Sequence, residues 1–248
     1  MHRFMVEPGQ IENNRVIISG DDLRHLRQVL RLKAGDIISV FDGSGMEYEV
    51  RLSAVEKEMA SGDVLSSGIS DTEPRTRLTL FQGLPKAEKM DWIVQKAVEL
   101  GVYRIVPVIT ERTVVKLSEA DKEKKRERWS RIAREASKQC RRARVPEVAL
   151  PIVFSDIPSL IKQYDLFIML YENQKKCLKE HMKCYNINKI GSIALFIGPE
   201  GGFADSEAGS LEPLNIVISS LGKRILRTET AALTGISLIM YEMGEMQS

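Results

Sequence analysis

The sequence has no run of 18 or more consecutive apolar residues, the length that suggests a membrane span. Its opening, MHRFMVEPGQ, holds neither an apolar signal core nor a small-residue cleavage site. Together these absences predict a cytoplasmic chain with no membrane association. Cysteine is scarce: Cys140, Cys177 and Cys184 are the only three. An odd number with no CxxC pair argues against a disulfide framework and a structural zinc. Cys177 and Cys184, with His181 between them, read as half-buried thiols in a reducing cytosol, and no metal is expected. Two nucleotide signatures, GxGxxG and GxxxxGK[ST], are also missing. Neither sign of charge dominates: 36 Lys and Arg stand against 34 Asp and Glu, a net charge of +2. Any argument about an anionic partner therefore rests on where the charges lie, not on their sum. No internal repeat or low-complexity segment is visible.

What is present suits one large domain or two small ones: 248 residues, 43% apolar. The first seventy read as a small β-rich unit. IISVFD and EYEVRLSAV are strand-like and flank Gly43-Ser44-Gly45, a plausible hairpin turn. One short helix, DDLRHLRQVLRL, puts Leu23, Leu26, Val29 and Leu30 on an apolar face. Many short strands with one helix predict a small barrel. The polar SDTEPRTR, residues 70–77, reads as a linker.

Beyond it, RLTLFQGL, YRIVPVI, DLFIMLYE, SIALFIG and NIVISSLG are short, almost continuous apolar runs. Such runs mark strands buried on both faces, as in parallel sheets. Helices separate several of them. KMDWIVQKAVELG carries an apolar stripe and ends at Gly101. Ser118 to Asp121 reads as a capping box opening a long basic helix. From Lys122 to Arg144 basic residues are dense, while Trp129, Ile132, Ala133, Ala136 and Cys140 share the face expected to be buried. The last helix starts near Thr228, read as its N-cap. The expectation is an α/β sheet with helices on both faces.

Ligands of open α/β sheets sit outside the carboxyl ends of the strands, and two glycine-bearing loops fall at such ends: IGPEGGF and LGKRILRTETAAL. Gly198, Gly201 and Gly202 permit close backbone approach and positive φ, and Pro199 stiffens the first loop. In the second, Leu221, Gly222, Ile225 and Leu226 offer apolar walls, with Arg227 just before the final helix. This pair resembles the SPOUT superfamily of methyltransferases, whose C-terminal halves tie a deep trefoil knot. Within it the chain is most similar to the small-subunit ribosomal RNA uridine-N3 methyltransferase family. HLRQVLRLKAGD resembles that family's N-terminal barrel, and GLPKAEKMDWIVQKAVELGV and EASKQCRRARVPEV its central segments.

The resemblance implies a PUA-like, RNA-binding β-barrel over residues 1–70 and a knotted SPOUT domain over 75–248. It implies S-adenosylmethionine as methyl donor, N3 of a uridine in small-subunit (16S) ribosomal RNA as acceptor, and a homodimer. The substrate is the naked RNA or the assembled small subunit. Carried over by position, the cofactor loops are Leu170-Tyr171, Gly198 to Gly202, and Leu221 to Leu226. An adenine ring suits apolar walls and backbone hydrogen bonds, and Glu200 could balance the sulfonium or the amino group. Uracil N3 must lose its proton. Glu229 or Glu200 could take it, or Arg227 could stabilise the uracil anion through its carbonyl oxygens; Arg227 is the preferred candidate. Glu135 and Gln139, four apart on one helix face, could orient the substrate. RNA phosphates are expected at Arg134, Lys138, Arg141 and Arg142, at Arg24, Arg27 and Arg31 of the barrel helix, and at Lys86 and Lys89. His25 reads as packing or RNA contact, not catalysis. The final helix carries more apolar residues than one stripe requires, with Leu233, Leu238 and Met243 beyond Ala232, Ile236, Ile239 and Met240, which predicts a twofold interface. Two alternatives stay open: another SPOUT specificity such as ribose 2′-O methylation, and an RNA-binding protein without catalysis.

Overall fold

The protein's computed structural model describes residues 1–247. The chain divides into two compact units: Met1–Glu73 with Ser137–Val145, and Pro74–Ala136 with the residues from Pro146 onward. The stretch 137–145, which the linear reading put in the second unit, thus groups with the first.

The first unit is a six-stranded sheet. Its strands are β1 (Arg3–Met5), β2 (Ile11–Glu12), β3 (Arg15–Ile18), β4 (Ile37–Phe41), β5 (Met46–Val55) and β6 (Ala60–Ile69). They are ordered β1-β4-β5-β6-β3-β2. All pairs are antiparallel except β1 with β4. The hairpin β4–β5 turns where expected, with Gly43 and Gly45 at positive φ. Val16, Ile18, Leu26, Ile38, Val40, Val50 and Leu52 form the core. The expected helix is shorter and changes pitch. After α1 (Gly20–Arg24) the chain widens into a π turn, closed by the Leu30 N–H donating to the His25 carbonyl at 3.0 Å. Five residues per hydrogen-bonded step rotate later side chains off an α-helical stripe. Leu23 and Leu26 are therefore buried, but Val29, expected beside them, is 66% exposed.

The second unit holds β7 (Arg77–Gly83), α2 (Lys89–Glu99), β8 (Arg104–Ile109), α3 (Glu119–Gln139), β9 (Glu147–Val148), β10 (Ile152–Val153), α4 (Ile157–Leu160), β11 (Leu166–Leu170), α5 (Leu178–Met182), β12 (Ser192–Ile197), α6 (Asp205–Leu211), β13 (Val217–Ser219) and α7 (Thr228–Glu242). Every pair of its strands is parallel, in the order β10-β8-β7-β12-β11-β13, with β9 also beside β8. Consecutive residues of β7, β11 and β12 are buried, as strands covered on both faces require. Phe81, Phe167, Phe196 and Phe203 pack ring to ring in this core. Ser118 and Asp121 form the reciprocal cap of α3, with the Asp121 N–H donating to Ser118 Oγ at 3.2 Å and the Ser118 N–H donating to Asp121 Oδ2 at 3.1 Å. Trp129, Ala133 and Ala136 are buried beneath that helix, while Ile132 and Cys140 are only half-buried.

One feature of this order places the site. The chain reaches β11 before β12, yet β12 lies between β7 and β11. Gln82, Ile197, Leu170 and Ser219 are then register neighbours, so the segments leaving four strands emerge side by side at one carboxyl edge.

Candidate functional site: a cavity at the carboxyl ends of four strands

A cavity of about 380 Å³ opens at that edge, within the range of small-molecule sites. Three segments wall it: Leu170 to Glu172 after β11, Ile197 to Phe203 after β12, and Ser220 to Thr228 between β13 and α7. Lys89 and Ala231 complete it. Of the expected cofactor residues, Leu170, Tyr171, Gly198, Pro199, Glu200, Gly202, Leu221, Gly222, Ile225 and Leu226 all line it. Gly201 does not. It faces the loop after β8, where its carbonyl accepts a hydrogen bond from Arg112 Nη1 at 2.9 Å.

Backbone geometry explains two of the glycines. Gly202 has φ +67°, and a Cβ there would lie 2.5 Å from Glu172 Oε1. Gly83, at the end of β7, has the backbone nitrogen and Cδ of Pro199 at 2.5 Å from where its Cβ would be; the Gly-Pro-Glu-Gly-Gly loop can lie against β7 only because that side chain is missing.

A buried polar clamp fixes the loop to the last helix. Gln82, fully buried, donates from Nε2 to the Gly83 carbonyl at 2.9 Å and to Thr228 Oγ1 at 2.9 Å. The Thr228 hydroxyl in turn donates to the Gly198 carbonyl at 2.5 Å. Thr228 is therefore not the N-cap expected of it. It is the first residue of α7, with Arg227 in the capping position, and its hydroxyl holds the glycine loop. In the β11 loop the Tyr171 hydroxyl donates to the Asp205 carboxylate, which raises the phenol's pKa, and Asn173 Nδ2 donates to the Tyr171 hydroxyl oxygen at 3.0 Å.

The charges sort into engaged and free. Lys89, read from sequence as an RNA contact, lines the cavity and bridges two carboxylates, Glu200 Oε1 at 3.1 Å and Glu229 Oε2 at 3.4 Å. The hydrogen bond to Glu200 is the main reason its pKa is raised. Burial alone would raise the Glu200 pKa. Its own backbone N–H, Lys89 and the Lys86 N–H (3.1 and 3.2 Å from the two oxygens) outweigh that and hold it below the usual value. Glu229, paired with Lys89, does not line the cavity. Arg227 does line it, at an exposed position. Sequence reasoning missed Glu172 and Phe203 as wall residues and Gln82 as the clamp. Glu172 directly follows Leu170-Tyr171, so reading the β11 loop one residue further would have found it.

The other expected RNA contacts lie elsewhere. Arg24 is exposed and paired with Asp21 at 2.7 Å. Arg27 donates to the Lys57 carbonyl at 3.1 Å, and Arg31 is exposed. Lys86 is exposed, Arg134 half-buried, and Lys138 lies 3.5 Å from Asp22. Glu135 and Gln139 are both exposed on α3, and Arg141 is exposed after it. Arg142 is a correction. Only 4% exposed, it pairs with Glu73 at 2.8 Å, while the N–H groups of Ala143 and Arg144 donate to the other Glu73 oxygen at 2.9 Å each. It holds a turn of the first unit together and is closed to a phosphate. Among the described residues no cluster of His, Cys, Asp and Glu could hold a metal ion, and no helix is long and apolar enough to cross a membrane.

Residues 72–240 match the RNA methyltransferase domain family, and residues 18–64 match the RNA methyltransferase PUA domain. The chain is 34% identical to the ribosomal RNA small subunit methyltransferase E of Bacillus subtilis, over 98% of this chain and 97% of that one. The protein of the same name from Aquifex aeolicus is 31% identical over 97% and 99%. The crystal structure of a Neisseria gonorrhoeae ribosomal RNA small subunit methyltransferase E bound to S-adenosyl methionine superposes with a TM-score of 0.80, at 32% identity over 97% of each chain. With similarity running end to end in both sequence and fold, the chain belongs to the ribosomal RNA small subunit methyltransferase E family, with an RNA methyltransferase domain preceded by a PUA domain.

Proposed function

We propose that this protein methylates N3 of a uridine in 16S ribosomal RNA, with S-adenosylmethionine as methyl donor. The observation that carries the reading is the cavity built by the three loops at the shared strand edge. Leu170, Leu221, Ile225 and Leu226 supply apolar walls for an adenine ring, and the glycine-loop backbone is available for its nitrogens. Glu172 and Glu200 put negative charge where the cofactor's cationic end would lie. When bound, the cofactor supplies a methyl group already electrophilic on a sulfonium, so the chain's own task is alignment and a competent nucleophile.

The nucleophile is N3 once its proton has left. Glu200 is poorly suited to take that proton. Its carboxylate is engaged by Lys89 and Lys86, and its lowered pKa makes it a weaker base. Glu229 is paired with Lys89 and is not among the residues lining the cavity. Arg227 faces the cavity, and its guanidinium can hold a uracil carbonyl oxygen as negative charge builds there. Arg227 is thus the electrostatic stabiliser, while Lys89 orients the two carboxylates. The Gln82–Thr228–Gly198 clamp fixes the loop on which the cofactor rests.

The same reading extends to architecture. The strand order β7-β12-β11-β13, with the β13–α7 loop facing the glycine loop, supports a trefoil-knotted SPOUT domain. The match to the PUA domain supports a small RNA-binding barrel before it. A cytoplasmic homodimer completes the proposal. The test is methyl transfer from labelled S-adenosylmethionine onto naked 16S RNA and onto purified small subunits, side by side, followed by nucleoside mass spectrometry. A base-methylated uridine is expected. A ribose methyl would replace the N3 assignment, and no transfer to either substrate would favour a binding protein without catalysis.

A further inference from the structure

The basic helix α3 is the conspicuous electrostatic feature of the sequence, but many of its cations are already engaged. Lys122 pairs with Glu119 at 2.7 Å, Arg126 with Glu123, Arg128 with Asp91, and Lys138 with Asp22 at 3.5 Å. A cation held by a carboxylate must give up that partner before it can serve a phosphate. A second set of cations has no such partner. The segment between β11 and β12 carries Lys175, Lys176, Lys179, Lys183 and Lys189 against only two acids, Glu172 and Glu180. All five lysines are exposed, and none forms an ion pair among the described residues. Glu180 accepts the Cys177 N–H at 2.9 Å, and its charge also interacts with Lys176, which leaves one acid set against several lysines.

This segment is fixed beside the cavity. The Lys176 carbonyl accepts the Ser220 N–H at 3.0 Å, and the Leu178 N–H donates to the Ser220 carbonyl at 3.0 Å. Residues 176–178 thus run along the end of β13, at the point where Ser220, Leu221, Gly222 and Arg224 turn into the cavity wall. Lys223 and Arg224 are themselves exposed and unpaired. Lys175 and Lys176, with Lys223 and Arg224 and with Lys179 and Lys183 following on α5, therefore form a net basic rim beside the cavity, offset only in part by Glu180 near Lys176.

We propose that this rim is the main phosphate-binding surface of the catalytic unit, gripping the RNA backbone that flanks the target nucleotide. The inference rests on the proposed RNA substrate. Unpaired, exposed cations exchange their place in the solvent for a phosphate at little cost, and each such contact releases counterions from the RNA. Placed at the mouth of the methyl-transfer cavity, they position the strand without reading its sequence.

The experiment uses the full-length protein and naked 16S RNA transcribed in vitro, with binding measured from 50 to 200 mM salt. The quadruple variant Lys175→Gln, Lys176→Gln, Lys179→Gln, Lys183→Gln is compared with Lys122→Gln, Arg126→Gln on α3. Each phosphate contact contributes about 0.7–0.9 to the slope of log affinity against log salt. The rim variant should lose about 3 from that slope and bind about tenfold or more weakly at low salt, with S-adenosylmethionine affinity by calorimetry within about twofold of wild type. The α3 variant should keep nearly the wild-type slope. An unchanged slope in the rim variant, or an equal loss in the α3 variant, overturns the proposal while leaving wild-type methylation intact. Wild type that binds S-adenosylmethionine but neither binds nor methylates the RNA overturns the parent reading as well.

Discussion

Arg141 and Arg142 are adjacent, carry the same charge and stand in the same basic run, yet they do opposite things. Arg141 is exposed, whereas Arg142 is buried against Glu73, which also collects two backbone N–H groups. Removing one partner of such a pair strands a buried charge, at a cost of about 3–5 kcal/mol. Arg142→Ala is therefore expected to lower unfolding free energy by that amount in urea titrations. Arg141→Ala, at the surface, should shift it by less than about 1 kcal/mol. Equal effects would mean that the Glu73 pair contributes nothing. The difference was illegible in the sequence because it is decided by a carboxylate 69 positions earlier in the chain. The same limit hides the setting of Lys89, whose partners Glu200 and Glu229 come from the distant glycine loop and the start of α7.

At the scale of the element, the sheet and its loops were far more readable. Apolar runs that stop at glycine mark buried strands and the turns that leave them, and ten of the eleven residues taken for cofactor loops do line one cavity. Harder to see was the order of the strands, which no local pattern encodes, and with it the need for Gly83. That glycine reads as the ordinary end of a strand, but it lets the Gly-Pro-Glu-Gly-Gly loop close onto β7. Gly83→Ala puts a Cβ 2.5 Å from the Pro199 backbone nitrogen, so the loop must retreat. S-adenosylmethionine affinity should fall by about tenfold or more and the melting temperature should drop. Gly209→Ala on α6, where nothing lies within 4 Å, is the contrast. There the change should stabilise by about 0.5–1 kcal/mol, because alanine loses less backbone freedom in a helix. Calorimetry and thermal melts on both variants check the pair. Wild-type affinity in Gly83→Ala would show that the close approach is not needed for the cofactor.

For the whole molecule, the decisive feature is the outer face of α7. The sequence gives that helix too many apolar residues for one stripe, and the structure divides them. Ala232, Ile236, Ile239 and Met240 are buried, Leu233 and Met243 half-buried, and Leu238 and Tyr241 remain 42% and 62% exposed. On α2, which packs against α7, Trp92 is 44% exposed. Leu238 and Tyr241, three apart on one helix face, expose apolar surface of the kind that interfaces use, and a twofold copy of the same face is the simplest cover for it. The other end of α7 is Thr228, clamped to the glycine loop, with Ala231 in the cavity wall. At 1.5 Å per residue, Leu238 lies roughly 15 Å along the helix from Thr228. A dimer through this face would brace the helix that fixes the cofactor loop without touching the cofactor. Leu238→Asp and Tyr241→Asp should each shift the solution mass toward the monomer in sedimentation experiments. The expected loss of methyl transfer is greater than the loss of S-adenosylmethionine affinity, because the local pocket survives while its support and the second copy are gone. Folded variants that stay dimeric would place the interface elsewhere, and a wild type that is monomeric and fully active would remove the dimer from the mechanism.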